Sequence, residues 1–231
     1  MKLNSCIYLL SVIPHFNPEK VRDFETFERK NSLLLYSSLI INYREVLQIL
    51  KSGYSVKYCF NEVDRGFLPE EFSLETEIIF FDTGDKNTII KELGEKYFLQ
   101  YKNNLIIFPE SIGVWAGTIH KVFSLINSEE NSLVIGKSTK GKVIFIGFNF
   151  YEPEFLLGFD LVNFKFKNFL NQACRYDFFI NVMNNFLSVS DVNDFKLLYQ
   201  ELSKKESLNY CSQKMHERFT NLFIEYKDLL K

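Results

Sequence analysis

The stretch Cys6-Ile7-Tyr8-Leu9-Leu10-Ser11-Val12-Ile13 is apolar on almost every residue and is closed by Pro14-His15-Phe16-Asn17-Pro18. A half-exposed strand would alternate apolar and polar residues. A run that does not alternate suits a strand covered on both faces of a parallel sheet. The same pattern recurs in YSVKYCF (54–60), EIIFFD (77–82), NLIIF (104–108) and SLVIG (132–136). The segments between these runs have a helical period. From Tyr36, the positions Leu39, Ile40, Tyr43, Val46, Leu47 and Leu50 share one face, and Gly53 ends the helix. Residues 87–99 place Ile90, Leu93 and Tyr97 inward, and Trp115, Ile119, Val122, Phe123 and Ile126 form a third inward face. Alternating strands and helices predict a doubly wound α/β protein with a mostly parallel sheet flanked by helices.

Thr139-Lys140-Gly141-Lys142 separates SLVIG from VIFIGF, so this part is either a hairpin or a bent, interrupted strand. Further along, the pattern predicts a helix over 167–175, a late strand over 177–186, and a helix over 194–204 capped by Asp191 or Asn193. A last helix from about Leu208 spaces Met215, Phe219, Leu222, Tyr226 and Leu229 as a short coiled-coil-like seam. Residues 1–205 are thus expected to form one α/β domain. Residues 206–231 form a helical extension packed on it, with a homodimer through the seam as the alternative.

Composition narrows the function. With 27 basic and 29 acidic residues and no Lys/Arg cluster, the chain lacks the positive groove that nucleic acid requires. Cys6, Cys59, Cys174 and Cys211 are far apart and suggest neither a zinc site nor a disulfide framework. The apolar run at 6–13 is too short to span a membrane and has no leader-like flanks, which points to a cytoplasmic protein. The phosphate-binding, dinucleotide-binding and nucleophile-elbow glycine signatures are all missing. In open α/β sheets, ligands bind beyond the carboxyl ends of the strands. The residues at that edge are His15, Lys20 and Arg22 after the first strand, Asp82 and Asp85 after the third, and Glu110 and Ser111 after the fourth. Lys20 and Arg22, two apart, are suited to neutralising a phosphate; the alternative is an ordinary solvated turn.

Four segments in order resemble the nucleotide-diphospho-sugar transferase superfamily of GT-A fold, specifically the radical-SAM/selenodomain-associated transferase type. Pro14, Lys20 and Arg22 match the family's first, phosphate-binding loop, with Asn17 in place of its glycine. Glu110 falls where the family has a metal-binding aspartate, with Phe108 and Ile112 replacing the flanking glycine and proline. Val134 to Phe148 keeps the hydrophobic frame and Gly136, Gly141 and Gly147 of the third motif. Lys140 and Lys142 stand there for an acidic residue and a glycine. Asp191-Val192-Asn193-Asp194-Phe195 resembles the last motif, in which Asn193 would be a metal ligand or, alternatively, a helix cap.

The resemblance implies a glycosyltransferase-like protein binding a nucleotide-sugar or related phosphorylated ligand. It implies phosphate contacts from His15, Lys20 and Arg22 and a Mg or Mn ion at Glu110 and Asn193. The lysines at the third motif reverse its charge. They imply an alternative, a non-catalytic descendant whose Lys137, Lys140 and Lys142 bind an anion, or which acts through an interaction surface such as the terminal helix.

Overall fold

A computed structural model of the chain describes residues 4–82, 86–157 and 165–230. The strands are β1 (Ser5–Leu10), β2 (Ser55–Asn61), β3 (Ile78–Phe81), β4 (Asn103–Ile107), β5 (Ser111–Ile112), β6 (Ser132–Ser138), β7 (Val143–Phe148) and β8 (Phe179–Ser188). The helices are α1 (Arg29–Leu50), α2 (Lys86–Lys96), α3 (Ala116–Ser128), α4 (Pro153–Leu157), α5 (Phe166–Ala173), α6 (Val192–Leu202) and α7 (Gln213–Glu225).

The strands lie in the order β3-β2-β1-β4-β7-β6-β8-β5. β1, β2, β3 and β4 are parallel, with Ile7 opposite both Val56 and Leu105. β7 runs against β4 and β6, and β8 is parallel to β6. Residues 139–142 are therefore the turn of a hairpin, with Gly141 at φ +76°. Successive residues of each strand feed opposite faces. Ile7, Leu9, Leu105 and Ile107 pack with α1, α3, α6 and α7, while Cys6, Tyr8, Leu10 and Ile106 pack with α2, α4 and α5. That double burial explains the unbroken apolar runs. The chain leaves β1 toward β2 and later returns on its other side as β4, so the switch point lies between β1 and β4.

Three helix readings differ from the structure in detail. α1 begins at Arg29, two turns before its apolar face, because its first residues make polar contacts. Ser32 Oγ accepts the Phe24 N–H, and Asn31 Nδ2 donates to Glu225 and to the Tyr226 hydroxyl. α7 begins only after Ser212, whose hydroxyl accepts the Met215 N–H. Its Met215, Phe219 and Leu222 are buried in the cluster that contains α1, and Tyr226 stacks on Phe27 at 3.8 Å. Trp115 is not inward: it is 42% exposed, flanks α3 on its N-terminal side, and lays its ring over Gly117, where a Cβ would meet it at 2.6 Å. Among the described residues, no helix is long and apolar enough to cross a membrane.

Candidate functional site

The site is built from the loops that leave the carboxyl ends of β1, β2, β4, β6 and β8. After β1 the chain turns through Pro14 to Asn17, and this turn is held from below by Asp64, in the short 3-10 segment Glu62–Phe67 that follows β2. The Asp64 carboxylate is fully buried and accepts the backbone N–H groups of His15 (2.9 Å), Phe16 (2.9 Å) and Asn17 (2.8 Å). Asn17 tightens the turn further, donating to Val63 O and accepting from Glu19 N. Three amides that could cradle an anion are thus occupied by the protein's own carboxylate.

This turn fixes the His15 ring. Nδ1 lies 2.6 Å from Ile13 O and 2.5 Å from Ser11 Oγ. A carbonyl can only accept, so Nδ1 carries a proton. Nε2 therefore points the other way, 3.4 Å from Glu110 Oε1, an ion-pair distance without hydrogen-bond alignment. His15 is buried rather than a surface or capping residue, and its ring meets Tyr36 of α1 edge-on at 5.3 Å.

Glu110 is positioned by backbone bonds on each side. Phe108 N donates to Ile144 O, and Glu110 O accepts from Val189 N beyond β8. Ser111 is buried and fully engaged, with Phe108 O and the Tyr43 hydroxyl as partners. The Glu110 side chain keeps 30% exposure. Burial pushes its carboxyl upward, but the His15 imidazole and the charges of Arg22 and Lys142 outweigh this, and it is held below the usual glutamate range. Arg22 is exposed, with its guanidinium carbon 6.0 Å from the Tyr36 ring centre. Burial pushes the Tyr36 phenol up to about 12, against the Arg22 charge and with that of Glu110. Its hydroxyl has no aligned hydrogen-bond partner.

The two hairpin lysines differ. Lys140 Nζ lies 2.8 Å from Asp191 Oδ2 and 2.7 Å from Asp194 Oδ1, so its charge is answered inside the protein. Asp194 is itself buried and accepts from Ser190 N and Oγ. Lys142 is exposed, and its charge reaches Glu110. Lys137 lies over the Phe166 ring. Lys20 is exposed on the turn, and Asn193 is exposed in the first turn of α6, whose cap is Asp191. Asp82 is exposed after β3; Asp85 lies outside the described residues.

The fold thus brings His15, Arg22, Glu110 and Lys142 together. It separates Lys140 from them by pairing it with α6. Asp64 and Tyr36 escaped the sequence reading: Asp64 sits in an unmarked polar stretch, and Tyr36 looked like one more apolar position on a helix face. Among the described residues, no group of three or more His, Cys, Asp or Glu side chains could hold a metal ion. The protein's contribution near Glu110 is that carboxylate and the Nε2 of His15.

No family model matches the chain, and no curated protein resembles it in sequence. Solved structures do resemble it. A "putative nucleotide-diphospho-sugar transferase" from Desulfovibrio desulfuricans superposes with a TM-score of 0.76 at 15% identity, over 96% of this chain and 98% of that one. Rv0371c of Mycobacterium tuberculosis, solved in complex with manganese, gives 0.54 at 8% identity over 87% and 100%. A cytidylyltransferase from Leptospira borgpetersenii gives 0.50 at 12% identity over 100% and 97%. The curled, mostly parallel sheet with its one reversed long strand is the fold of the nucleotide-diphospho-sugar transferases.

Proposed function

We propose that this protein is transferase-like and binds a nucleotide-sugar or related phosphorylated ligand at the carboxyl edge of β1 and β4. The observation that carries this reading is the convergence of Arg22, Lys142 and His15 around the partly exposed Glu110 at the topological switch point. Two full cations and an imidazole exceed one carboxylate, so the edge favours an anion. Arg22 and Lys142 would neutralise a diphosphate, and in a transfer reaction that same neutralisation stabilises it as the leaving group. Lys20, on the same turn, would extend the contact.

A Mg or Mn ion fits this arrangement only as one held largely by the ligand, since such ions take one or two protein carboxylates plus phosphate oxygens and water. Glu110 would supply the protein oxygen; bound there, the ion would add positive charge next to the phosphates. Asn193 is exposed in the first turn of α6, which Asp191 caps, and is the weaker member of the pair expected from sequence.

Lys140 favours the second reading, a non-catalytic binder. It neutralises Asp191 and Asp194, so these two carboxylates are engaged by the protein's own cation.

Calorimetry and thermal-shift titration against UDP-, GDP-, CMP- and ADP-linked sugars, each with Mg²⁺, Mn²⁺ or chelator, test both readings. One nucleotide class should bind, and Arg22→Ala or Lys142→Glu should weaken it by about tenfold or more. Metal-dependent binding supports the transferase; metal-independent binding without turnover supports the non-catalytic binder. Absence of binding by every class overturns the site.

A further inference from the structure

β8 has an edge that no strand among the described residues covers. On one side it pairs with β6 from Phe179 to Phe186; on the other, β5 takes only Leu187 and Ser188. Phe179 N donates to Asn131 O, so Phe179, Asn181 and Met183 turn their backbone groups toward β6, and the alternate residues Ile180 and Val182 turn theirs outward. The regular stretch ends after Met183, where the register with β6 shifts and Asn185 takes φ +75°. Free edges are ordinarily blunted by shortness, by charge or by a covering side chain. The opposite edge of the sheet follows that rule. There β3 has four residues between Glu77 and Asp82, and the Arg65 guanidinium carbon lies 4.1 Å from the centre of the Phe80 ring. β8 has ten residues and no charge among them, with Phe179 57% and Val182 39% exposed.

The edge is also self-complementary. Phe179-Ile180-Asn181-Val182-Met183 has the same pattern of apolar and polar residues read in either direction about Asn181. An antiparallel second strand with Asn181 on a two-fold axis sets Ile180 against Val182 of the second copy, and Phe179 against Met183, so apolar residues meet on each face of the sheet. In that register every outward N–H and C=O group of Ile180 and Val182 finds a partner. A foreign strand needs no such symmetry, whereas a copy of the same strand does. We infer that this chain forms a two-fold homodimer by antiparallel pairing of β8 with β8 of a second copy, which joins the two sheets into one. The interface is separate from the terminal seam, whose Met215, Phe219 and Leu222 are in the core. It is also independent of the ligand reading above.

Sedimentation velocity over a concentration series tests this on the full chain. The wild type should show a monomer–dimer equilibrium. Val182→Pro removes an N–H that makes no bond to β6, so the fold should be kept while the dimer dissociation constant rises about tenfold or more. Val182→Lys leaves the backbone alone and sets two ammonium groups diagonally across the axis, and it should weaken the dimer as much. Both variants should melt where the wild type melts at dilutions at which it is monomeric, so that loss of the dimer is not loss of the fold. If the proline variant does not fold, the lysine variant decides. The register is read by oxidation in a Cys174→Ser background, where the remaining cysteines, Cys6, Cys59 and Cys211, are buried. Asn181→Cys should give a disulfide-linked dimer, because Cα atoms facing each other in such a pair are about 4.5 Å apart. Asn184→Cys, roughly 20 Å from its mate, should not. A wild type that stays monomeric at every concentration, a dimer that the Val182 variants leave intact, or a link through position 184 in place of 181 overturns the proposal.

Discussion

Asp64 shows how a single side chain sets the geometry of this site. Its two oxygens take three consecutive backbone N–H groups, and these charge-assisted bonds hold the turn that aims His15 at Glu110. Asp64→Asn keeps the shape but turns one acceptor into an NH₂ group facing an N–H donor. The expected cost is about 3 kcal/mol in urea unfolding, because a buried donor is left unpaired. Ligand affinity at the edge should fall with it as His15 loses its support. His15 and Glu110 were each visible in the sequence as residues that follow a strand. Their contact was not, since it depends on a turn held by a residue 49 positions away. Nor could the replacement of glycine by Asn17 be understood from sequence: in the fold its side chain bonds both Val63 and Glu19.

Among the elements, the strands were the most legible, because burial on both faces leaves a run of apolar residues with little else to become. Helix ends were less so. The first two turns of α1 carry Asn31 and Ser32, which look like loop residues until their partners on α7 and on the turn at Phe24 are known. The terminal seam was open between self-packing and dimerisation on spacing alone; in the fold its Met215, Phe219 and Leu222 are in the core cluster that α1 shares. Phe219 is fully buried, so Phe219→Ala should destabilise by about 3–5 kcal/mol. Ser212→Ala, which removes the cap and the hydroxyl's bond to the Glu45 carboxylate of α1, should cost about 1–2 kcal/mol. Chemical denaturation of the two variants checks the ranking. Equal losses would mean that α7 is held by its cap rather than by its packing.

Over the whole molecule, ion pairs tie together segments that are remote in sequence. Glu71 meets Lys214 and Arg218 of α7, and Lys140 of the hairpin meets Asp191 and Asp194 at α6. For Glu71, Glu110, Asp191 and Glu201, burial pushes the carboxyl up. Nearby cations and donors more than offset it, so each titrates below its ordinary value of 4.5 or, for aspartate, 3.8. The unfolded chain then binds more protons than the folded one as the pH approaches those ordinary values from above. Their stabilisation is complete above about pH 5 and is lost as the pH falls through the lowered folded values. The melting temperature should therefore be level in this respect from pH 7 to 5 and drop steeply below pH 4.5. Lys140→Met separates one of these ties from the rest. It leaves Asp191 beside the buried Asp194 with no cation between them, which should cost roughly 2 kcal/mol at pH 7. The deficit should shrink as acid protonates Asp191 and removes its charge. A variant whose deficit is the same at pH 7 and pH 4 would show that Lys140 stabilises the hairpin by packing, and that the charge reversal at this edge has no electrostatic counterpart in α6.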